Sequence, residues 1–231
     1  MPTLNSTLSV ILPAHDEESS IETQVVRCVS VVGKLFRDFD VLVVNDGSSD
    51  ETGKLVEALS RSDSRIKLIT HTVNRGYGAA LRSGFAAATG QWIFFTDSDG
   101  QFDIEEMAAF TPLLEVADIV AGYRLRRMDN LYRRVMGYLY SFIMDLFFAT
   151  GVKDINCAFK FIRAEILEEF SLESDGALIN TEIIALARLK NRRIIQKGVN
   201  HYPRRYGKQS GGSAKVILKA TQEFLRLYRR L

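Results

Sequence analysis

The chain has 231 residues, 46% hydrophobic and 25% charged, so it is long enough to bury the core of one sizeable α/β domain. Its 30 basic and 28 acidic residues leave a formal net charge of +2, which argues against a protein that coats nucleic acid. Two cysteines without a CxxC pattern and three scattered histidines argue against a disulfide framework or a zinc site.

Strand and helix patterns alternate through the first half of the chain. Short apolar runs rich in β-branched and aromatic residues predict buried strands at 8–13, 40–45, 65–70, 91–96 and 118–122. Capping residues and amphipathic stretches predict helices that end near 35 and that span 51–60, 79–89 and 105–116. This alternation is typical of βαβ units, so we predict an α/β fold with a mostly parallel central sheet flanked by helices.

The pattern changes after residue 123. Residues 128–151 predict one or two amphipathic helices rich in aromatics, and 154–161 interrupt them with polar and small residues. A helix at 176–189, a strand near 193–199, a flexible loop at 207–213 and a basic amphipathic helix at 214–231 follow. Because no repeat or linker marks a boundary, we predict a single domain over 1–231.

Four polar motifs, at 14–18, 45–50, 74–78 and 97–103, directly follow predicted strands. The carboxyl ends of parallel strands meet at one edge of a sheet, where ligands bind, so we expect these motifs to converge on one rim. Asn45-Asp46 is positioned to accept from a ribose or a base. The segment Asn74-Arg75-Gly76-Tyr77-Gly78 offers backbone N–H groups and a guanidinium to a phosphate.

The strongest chemical signal is Asp97-Ser98-Asp99, a DXD motif at the end of an apolar strand. Two carboxylates one residue apart can share Mg²⁺ or Mn²⁺ together with diphosphate oxygens. The cation would neutralise charge that builds up on a diphosphate leaving group. The alternative is a turn with capping aspartates, but Gln101 and Asp103 follow and other polar turns point to the same rim.

Taken together, the ordered motifs resemble family 2 glycosyltransferases. These motifs are Pro13-Ala14 with Asp16-Glu17-Glu18, Asn45-Asp46-Gly47-Ser48, Asn74-Arg75-Gly76 and Asp97-Ser98-Asp99-Gly100-Gln101. Two later segments, Gly122-Tyr123-Arg124 and 154–160, are similar to the synthases that join mannose or glucose to dolichyl or polyprenyl phosphate. The resemblance implies a GT-A (Rossmann-like) fold, an inverting reaction and a nucleotide-diphosphate sugar donor such as GDP-mannose or UDP-glucose.

The resemblance also assigns roles to residues. It implies that Pro13, Ala14, Glu17 and Asp46 hold the nucleoside. We predict that Asp16, Asn45, Arg75 and Gly76 bind the donor beside them. It implies that Asp97, Asp99 and Gln101 hold the metal, and that Arg124 and Arg134 bind the phosphates of donor and acceptor. Asp154 matches the catalytic region, so Asp154, Arg124 and Asp99 are the predicted catalytic residues. The family's basic loop corresponds to residues around Arg204, Arg205 and Ser210, which are expected to contact phosphate.

The acceptor implied is a polyprenyl or dolichyl phosphate, which is already anionic and needs arginines more than a base. The aromatic helix at 128–150 is either part of the core or an interfacial helix that lies on a membrane, and the basic helix at 214–231 could lie there too. We expect a cytoplasmic protein bound peripherally to the membrane surface, with room for a separate membrane-anchoring partner. The alternatives are a family 2 transferase that acts on a glycan hydroxyl and a non-catalytic nucleotide-binding module.

Overall fold

A computed structural model describes residues 4–125, 131–204 and 214–231 of the chain. For residues 131–133 and 214–218 it describes the backbone only. The strands are β1 (Leu8–Ala14), β2 (Phe39–Asp46), β3 (Ile66–His71), β4 (Trp92–Thr96), β5 (Ile119–Arg124), β6 (Phe159–Arg163) and β7 (Ile194–Val199). The helices are α1 (Ile21–Leu35), α2 (Thr52–Ser62), α3 (Tyr77–Ala87), α4 (Leu131–Phe148), α5 (Ala164–Glu168), α6 (Ile179–Leu189) and α7 (Ala214–Arg230).

Within the described residues, the seven strands form one sheet in the order β3-β2-β1-β4-β6-β5-β7. β1 pairs in parallel with β2 and β4, β2 with β3, and β5 with β7. β6 runs antiparallel between β4 and β5, with Thr96 opposite Phe159 and Ala121 opposite Lys160. The predicted α/β fold with a mostly parallel sheet is therefore confirmed.

The central strands are buried along their whole length, as their apolar sequences predict. β1 and β4 are buried at every position, and β2 at every position after its first. Aromatic rings fill the space beside β4 and β6, where Phe94 lies 4.7 Å from Phe159 and 4.6 Å from Phe161 between ring centroids. The apolar core therefore lies directly beneath the carboxyl end of β4.

Two predicted elements are wrong. The helix expected at 105–116 is two short 3₁₀ helices, Ile104–Ala109 and Thr111–Glu115, separated at Phe110. Pro112 explains the break, because a proline disfavours the α conformation of the residue before it and removes a backbone donor. The polar interruption expected at 154–161 contains the start of β6, and the short helix α5 after it was not predicted.

The aromatic helix expected at 128–151 is one helix, α4, and it has two different faces. Met144 and Phe148 are buried, and Phe148 packs against Phe224 of α7 with 5.4 Å between ring centroids. Another face is exposed to solvent and carries Val135, Leu139, Phe142 and Leu146 at helical spacing. In the described ranges, no helix is long and apolar enough to cross a membrane.

Candidate active site

The predicted rim exists, and the antiparallel strand completes it. The parallel strands β1, β2, β4 and β5 end at Ala14, Asp46, Thr96 and Arg124 on one edge of the sheet. Because β6 runs the other way, it begins at this edge, and the loop before it carries Asp154 to the same place. The sheet direction thus brings Asp154 next to the residues that follow the parallel strands.

The loops after β1 and β2 are joined by reciprocal hydrogen bonds. The Ser49 backbone N–H donates to Asp16 Oδ1 at 2.7 Å, and the Asp16 N–H donates to Ser48 Oγ at 3.0 Å. The Glu17 N–H donates to Thr52 Oγ1 at 2.8 Å. These bonds satisfy the polar groups of both loops and hold the first predicted nucleotide-binding motif in one shape.

Asp46 organises the next loop with both carboxylate oxygens. Its Oδ1 accepts from the Arg75 backbone N–H at 2.9 Å and lies 2.6 Å from His71 Nδ1, and its Oδ2 accepts from the Gly76 N–H at 2.8 Å. Asp46 is buried, and these bonds fix the Arg75–Gly76 turn. Asn45 does the same for its own loop, since its Oδ1 accepts from the Ser48 N–H at 3.1 Å.

Glycine is required at two points where these loops meet. Gly47 has φ +67°, and a Cβ there would lie 2.4 Å from the Asn74 backbone nitrogen. Gly76 has φ +108°, and a Cβ would lie 2.5 Å from the Asp175 carbonyl oxygen. A side chain at either position would strain the backbone and push the loops apart.

The DXD motif sits between the first strand and the fourth. The buried Ser98 hydroxyl donates to the Pro13 carbonyl at 2.8 Å, which ties the motif to the end of β1. Asp99 Oδ1 accepts from the Gln101 backbone N–H at 3.0 Å. Desolvation and the neighbouring Asp99 charge raise the pKa of Asp97 to about 7. Two carboxylates held this close together favour a cation between or beside them.

The donor set fits Mg²⁺ or Mn²⁺. Asp97 and Asp99 offer hard oxygen ligands, and among the residues that the structure describes no cluster of three metal-ligating side chains forms. Mg²⁺ is commonly held by one or two carboxylates and completed by phosphate oxygens and water, which matches such an arrangement. The Gln101 side chain donates through Nε2 to the Tyr202 carbonyl at 3.0 Å, so its role as a metal ligand stays a prediction.

Arg204, near the other end of the sequence, contacts Glu17 and Asp99. Its guanidinium forms an ion pair with Glu17 and lies 3.5 Å from Asp99 Oδ2. Burial raises the pKa of Glu17, and the Arg204 charge opposes that rise. Arg204 follows β7, and the Tyr202 N–H donates to the Gln101 carbonyl at 2.8 Å, so a backbone contact fixes this segment beside the DXD motif. The sequence indicated a basic loop here but gave no sign of these partners.

Arg124 and Asp154 form a bidentate ion pair at the end of β5. Arg124 Nε donates to Asp154 Oδ2 at 2.6 Å, and Arg124 Nη2 donates to Asp154 Oδ1 at 2.7 Å. Both side chains are largely buried, so the pair is a fixed feature of the site. Both residues were predicted, and the structure brings them together.

Lys160 is a buried cation beneath this loop that sequence reasoning did not single out. Its ammonium donates to the Ile155 carbonyl at 2.9 Å, to the Cys157 carbonyl, and to Asn180 Oδ1 at 3.1 Å. Burial lowers the pKa of Lys160 to about 8. With its three acceptors, Lys160 holds the loop that carries Asp154 against α6.

A cavity of about 410 Å³ lies beside the Arg124–Asp154 pair. Its lining comes from the end of β5, from one face of α4 and from the loop before β6, namely Tyr123, Arg124, Leu125, Gly137, Tyr138, Ser141, Lys153 and Asp154. Gly137 and Ser141 are one turn apart on α4, and the small size of both residues leaves room for the cavity. Tyr138 is 60% exposed and Leu125 is 55% exposed, so the exposed part of the lining includes apolar surface.

Other predicted residues lie at the margin of the site or outside it. Arg75 is exposed, and its contribution to the rim is its backbone N–H. Arg134 is exposed on α4, one turn before Gly137 and Tyr138. Pro13 and Ala14 end β1 next to the DXD motif. Arg205 and Ser210 fall outside the described residues.

The structure is thus an α/β protein whose mostly parallel sheet carries paired aspartates and several polar loops on one edge. Residues 9–171 match Glycosyl transferase family 2, so the chain belongs to that family and is a glycosyltransferase. The family prediction is thereby confirmed, while the lipid-phosphate branch stays a prediction.

Solved structures of glucosyl-3-phosphoglycerate synthase from Mycobacterium tuberculosis share the fold. The complex with Mn²⁺ and UDP-glucose is 22% identical with a TM-score of 0.71, covering 97% of this chain and 79% of the other. The complex with Mg²⁺ and UDP is 22% identical with a TM-score of 0.67, covering 94% and 79%. The complex with Mn²⁺, UDP and glucosyl-3-phosphoglycerate is 20% identical with a TM-score of 0.66, covering 97% and 76%.

Proposed function

We propose that this glycosyltransferase transfers a hexose from a nucleotide-diphosphate sugar to the phosphate of a polyprenyl lipid, with inversion at the sugar. The observation that carries the proposal is the position of the 410 Å³ cavity. One side of the cavity is the Arg124–Asp154 pair, and the other side is α4, whose adjacent surface is apolar and exposed. An acceptor with a charged head and an apolar tail fits both sides.

The donor would lie along the rim formed by the loops after β1, β2 and β4. Asp97 and Asp99 are the residues that would hold Mg²⁺ or Mn²⁺ together with the donor diphosphate. When bound, the cation would neutralise charge on the departing nucleoside diphosphate. The solved relatives contain UDP with Mn²⁺ or Mg²⁺, which supports both the donor class and the metal. We propose that Pro13, Ala14, Glu17 and the Asp46-held turn form the nucleoside side of the site.

The proposed reaction does not require a general base. In the proposed step, an acceptor phosphate oxygen forms a bond to the anomeric carbon while the bond from that carbon to the donor diphosphate breaks. The electron pair leaves with the nucleoside diphosphate. A phosphate oxygen is already anionic, so no side chain has to remove a proton. Asp154 is therefore assigned to hold Arg124, whose guanidinium faces the cavity beside the reacting groups.

The outer surface of the molecule supports a lipid acceptor. Phe142 is 64% exposed and Leu146 is 68% exposed on α4, and Tyr228 of α7 is also exposed. Arg226 and Arg229 are exposed on α7, whose aromatic residues contact Phe147 of α4. Apolar and basic residues on neighbouring helices are typical of a surface that lies on anionic lipid. We therefore propose peripheral attachment to a membrane.

A second candidate is transfer to a small phosphorylated molecule. The relatives of known structure include a complex with phosphoglyceric acid, at 20% identity, so a soluble phosphate acceptor is compatible with this fold. Both candidates share a phosphate as acceptor group. They differ in whether the exposed surface of α4 takes part.

The test is a panel of donors and acceptors with the purified chain. Radiolabelled GDP-mannose, UDP-glucose and UDP-N-acetylglucosamine are each incubated with Mn²⁺ or Mg²⁺ and with polyprenyl phosphate, polyprenol of the same length, or 3-phosphoglycerate. We expect label from one donor in the organic phase with polyprenyl phosphate, and its loss with chelator. Label on polyprenol, or no label on any of the three acceptors, would overturn the proposal. Label on 3-phosphoglycerate alone would establish the second candidate.

A further inference from the structure

Among the described residues that line the cavity, the positive and negative charges do not cancel. Arg124 and Lys153 bring two positive charges to the lining and Asp154 brings one negative charge. Asp154 forms the bidentate ion pair with Arg124 and neutralises the charge of the Arg124 guanidinium. Over the described ranges, no carboxylate lies within ion-pair distance of Lys153. Among these described residues, Lys153 therefore contributes the positive charge that the Arg124–Asp154 pair leaves unbalanced.

Both the backbone and the side chain of Lys153 are held by neighbouring residues. Its backbone N–H donates to Gln196 Oε1 of β7 at 2.7 Å, and Gln196 Nε2 donates back to the Gly151 carbonyl at 2.9 Å. Its ammonium lies 4.5 Å from the centre of the Tyr123 ring, at the end of β5. This cation–π contact is weak enough at an exposed site for a stronger anion to share or replace it.

We propose that Lys153 binds the phosphate of the acceptor and makes the cavity selective for a phosphorylated acceptor over a neutral hydroxyl. The inference rests on the proposed transfer to a phosphate. The Tyr123 ring keeps the ammonium at the end of β5, next to Arg124 in sequence. An ammonium supplies three donors and a full charge to a phosphate, but it gains far less from an alcohol.

The experiment compares Lys153→Met with wild type, Lys153→Arg and Lys34→Met. Lys34 is an exposed lysine on α1 away from the cavity, so its variant controls for the loss of a surface charge. We expect the acceptor KM of Lys153→Met to rise by about tenfold, the size of one lost charge-assisted contact. The donor KM should stay within about twofold of wild type, and added salt should affect the acceptor KM less than in wild type. Lys153→Arg should retain most of the acceptor affinity.

The outcomes separate this inference from the proposed function. If 3-phosphoglycerate is the substrate in place of the lipid, the same KM comparison is made with that acceptor. If no acceptor supports turnover, the proposed function fails, and binding of pentyl phosphate and of pentanol is measured by NMR titration. Weaker binding of pentyl phosphate to Lys153→Met, with pentanol unchanged, supports the role of Lys153. An unchanged KM or unchanged pentyl phosphate binding overturns it.

Discussion

The rim proposed for the donor and the cavity proposed for the acceptor are built in different ways. On the donor side, carboxylates such as Asp16 and Asp46 accept backbone N–H groups from neighbouring loops, so each loop is fixed by another. On the acceptor side, one buried ion pair faces a helix with an exposed apolar surface. The first arrangement suits a ligand of constant shape, and the second suits a charged head with a long apolar tail.

The comparison indicates where substitutions will act. Changes on the donor rim should reduce binding of the nucleotide or the metal, whatever acceptor is offered. Changes near α4 should alter activity according to the chemistry of the acceptor. The predictions below use this distinction.

The largest effect is expected on the donor side, at the DXD motif. Asp99→Asn removes one of the two charges available to the cation and should lower turnover by about 10³-fold, with loss of Mn²⁺-dependent donor binding. The measurements are steady-state turnover and calorimetric titration of the nucleoside diphosphate with Mn²⁺. Asp103→Asn is the matched control, because Asp103 caps a 3₁₀ helix and pairs with Arg27. Unchanged donor affinity of Asp99→Asn at saturating Mn²⁺ would contradict the metal assignment.

The next effect concerns the Arg124–Asp154 ion pair in the lining of the cavity. Arg124→Lys keeps the charge but loses the bidentate contact with Asp154. Asp154→Asn loses the charge that orients Arg124. Each should lower kcat by about 10²-fold, because the first variant lacks the guanidinium and the second no longer holds it in place beside the cavity. The double variant should be little worse than either single variant, since the two residues act as a unit. Additive losses would mean that Asp154 acts separately from Arg124.

A smaller and more selective effect is expected on the exposed face of α4. The double variant Phe142→Ser, Leu146→Ser should lower activity on polyprenyl phosphate in anionic vesicles by about tenfold, because less apolar surface enters the bilayer. Activity on pentyl phosphate in solution should not change, and neither should the free energy of unfolding beyond about 0.5 kcal/mol. Leu189→Ser, at an exposed leucine of α6, is the control. Equal losses on both acceptors would contradict a membrane role for this face.

The smallest effect on turnover is expected at Lys160, where stability is the informative quantity. Lys160→Met should lower the free energy of unfolding at pH 7 by about 2 kcal/mol, because three buried acceptors lose their donor. Burial lowers the pKa of Lys160 from its ordinary value of 10.5 to about 8. The unfolded chain thus binds more protons between these pH values, and this lysine's contribution to stability rises with pH there. Urea unfolding of both proteins at pH 8 and 10 tests whether the variant lacks that rise.

Much of the donor rim was predictable because its signals are local. Each motif follows an apolar strand, and parallel strands place such motifs together without knowledge of long-range packing. The acceptor side was harder because its decisive element is β6. Its sequence contains Lys160, which reads as a solvent-facing residue, yet this lysine is 1% exposed. Only the antiparallel pairing of β6 explains why Asp154 reaches Arg124, and hydropathy does not predict strand direction.

The contacts of Arg204 and Lys153 show the same limit. Arg204 contacts Glu17, which lies 187 positions away in the sequence. Lys153, in the loop before β6, contacts the ring of Tyr123 at the end of β5. Composition predicts that cations lie in these segments, but it does not predict which anion or ring each cation contacts. Those partners follow from the three-dimensional arrangement alone.

The central claim is that the nucleophile is a phosphate oxygen. The most direct test is NMR of the product made from an α-linked donor carrying ¹³C at the anomeric carbon. A phosphate nucleophile with inversion predicts a β-linked glycosyl phosphate, seen as coupling between the anomeric carbon and ³¹P of the acceptor. An anomeric carbon without phosphorus coupling, joined to an oxygen of a hydroxyl acceptor, would contradict the account.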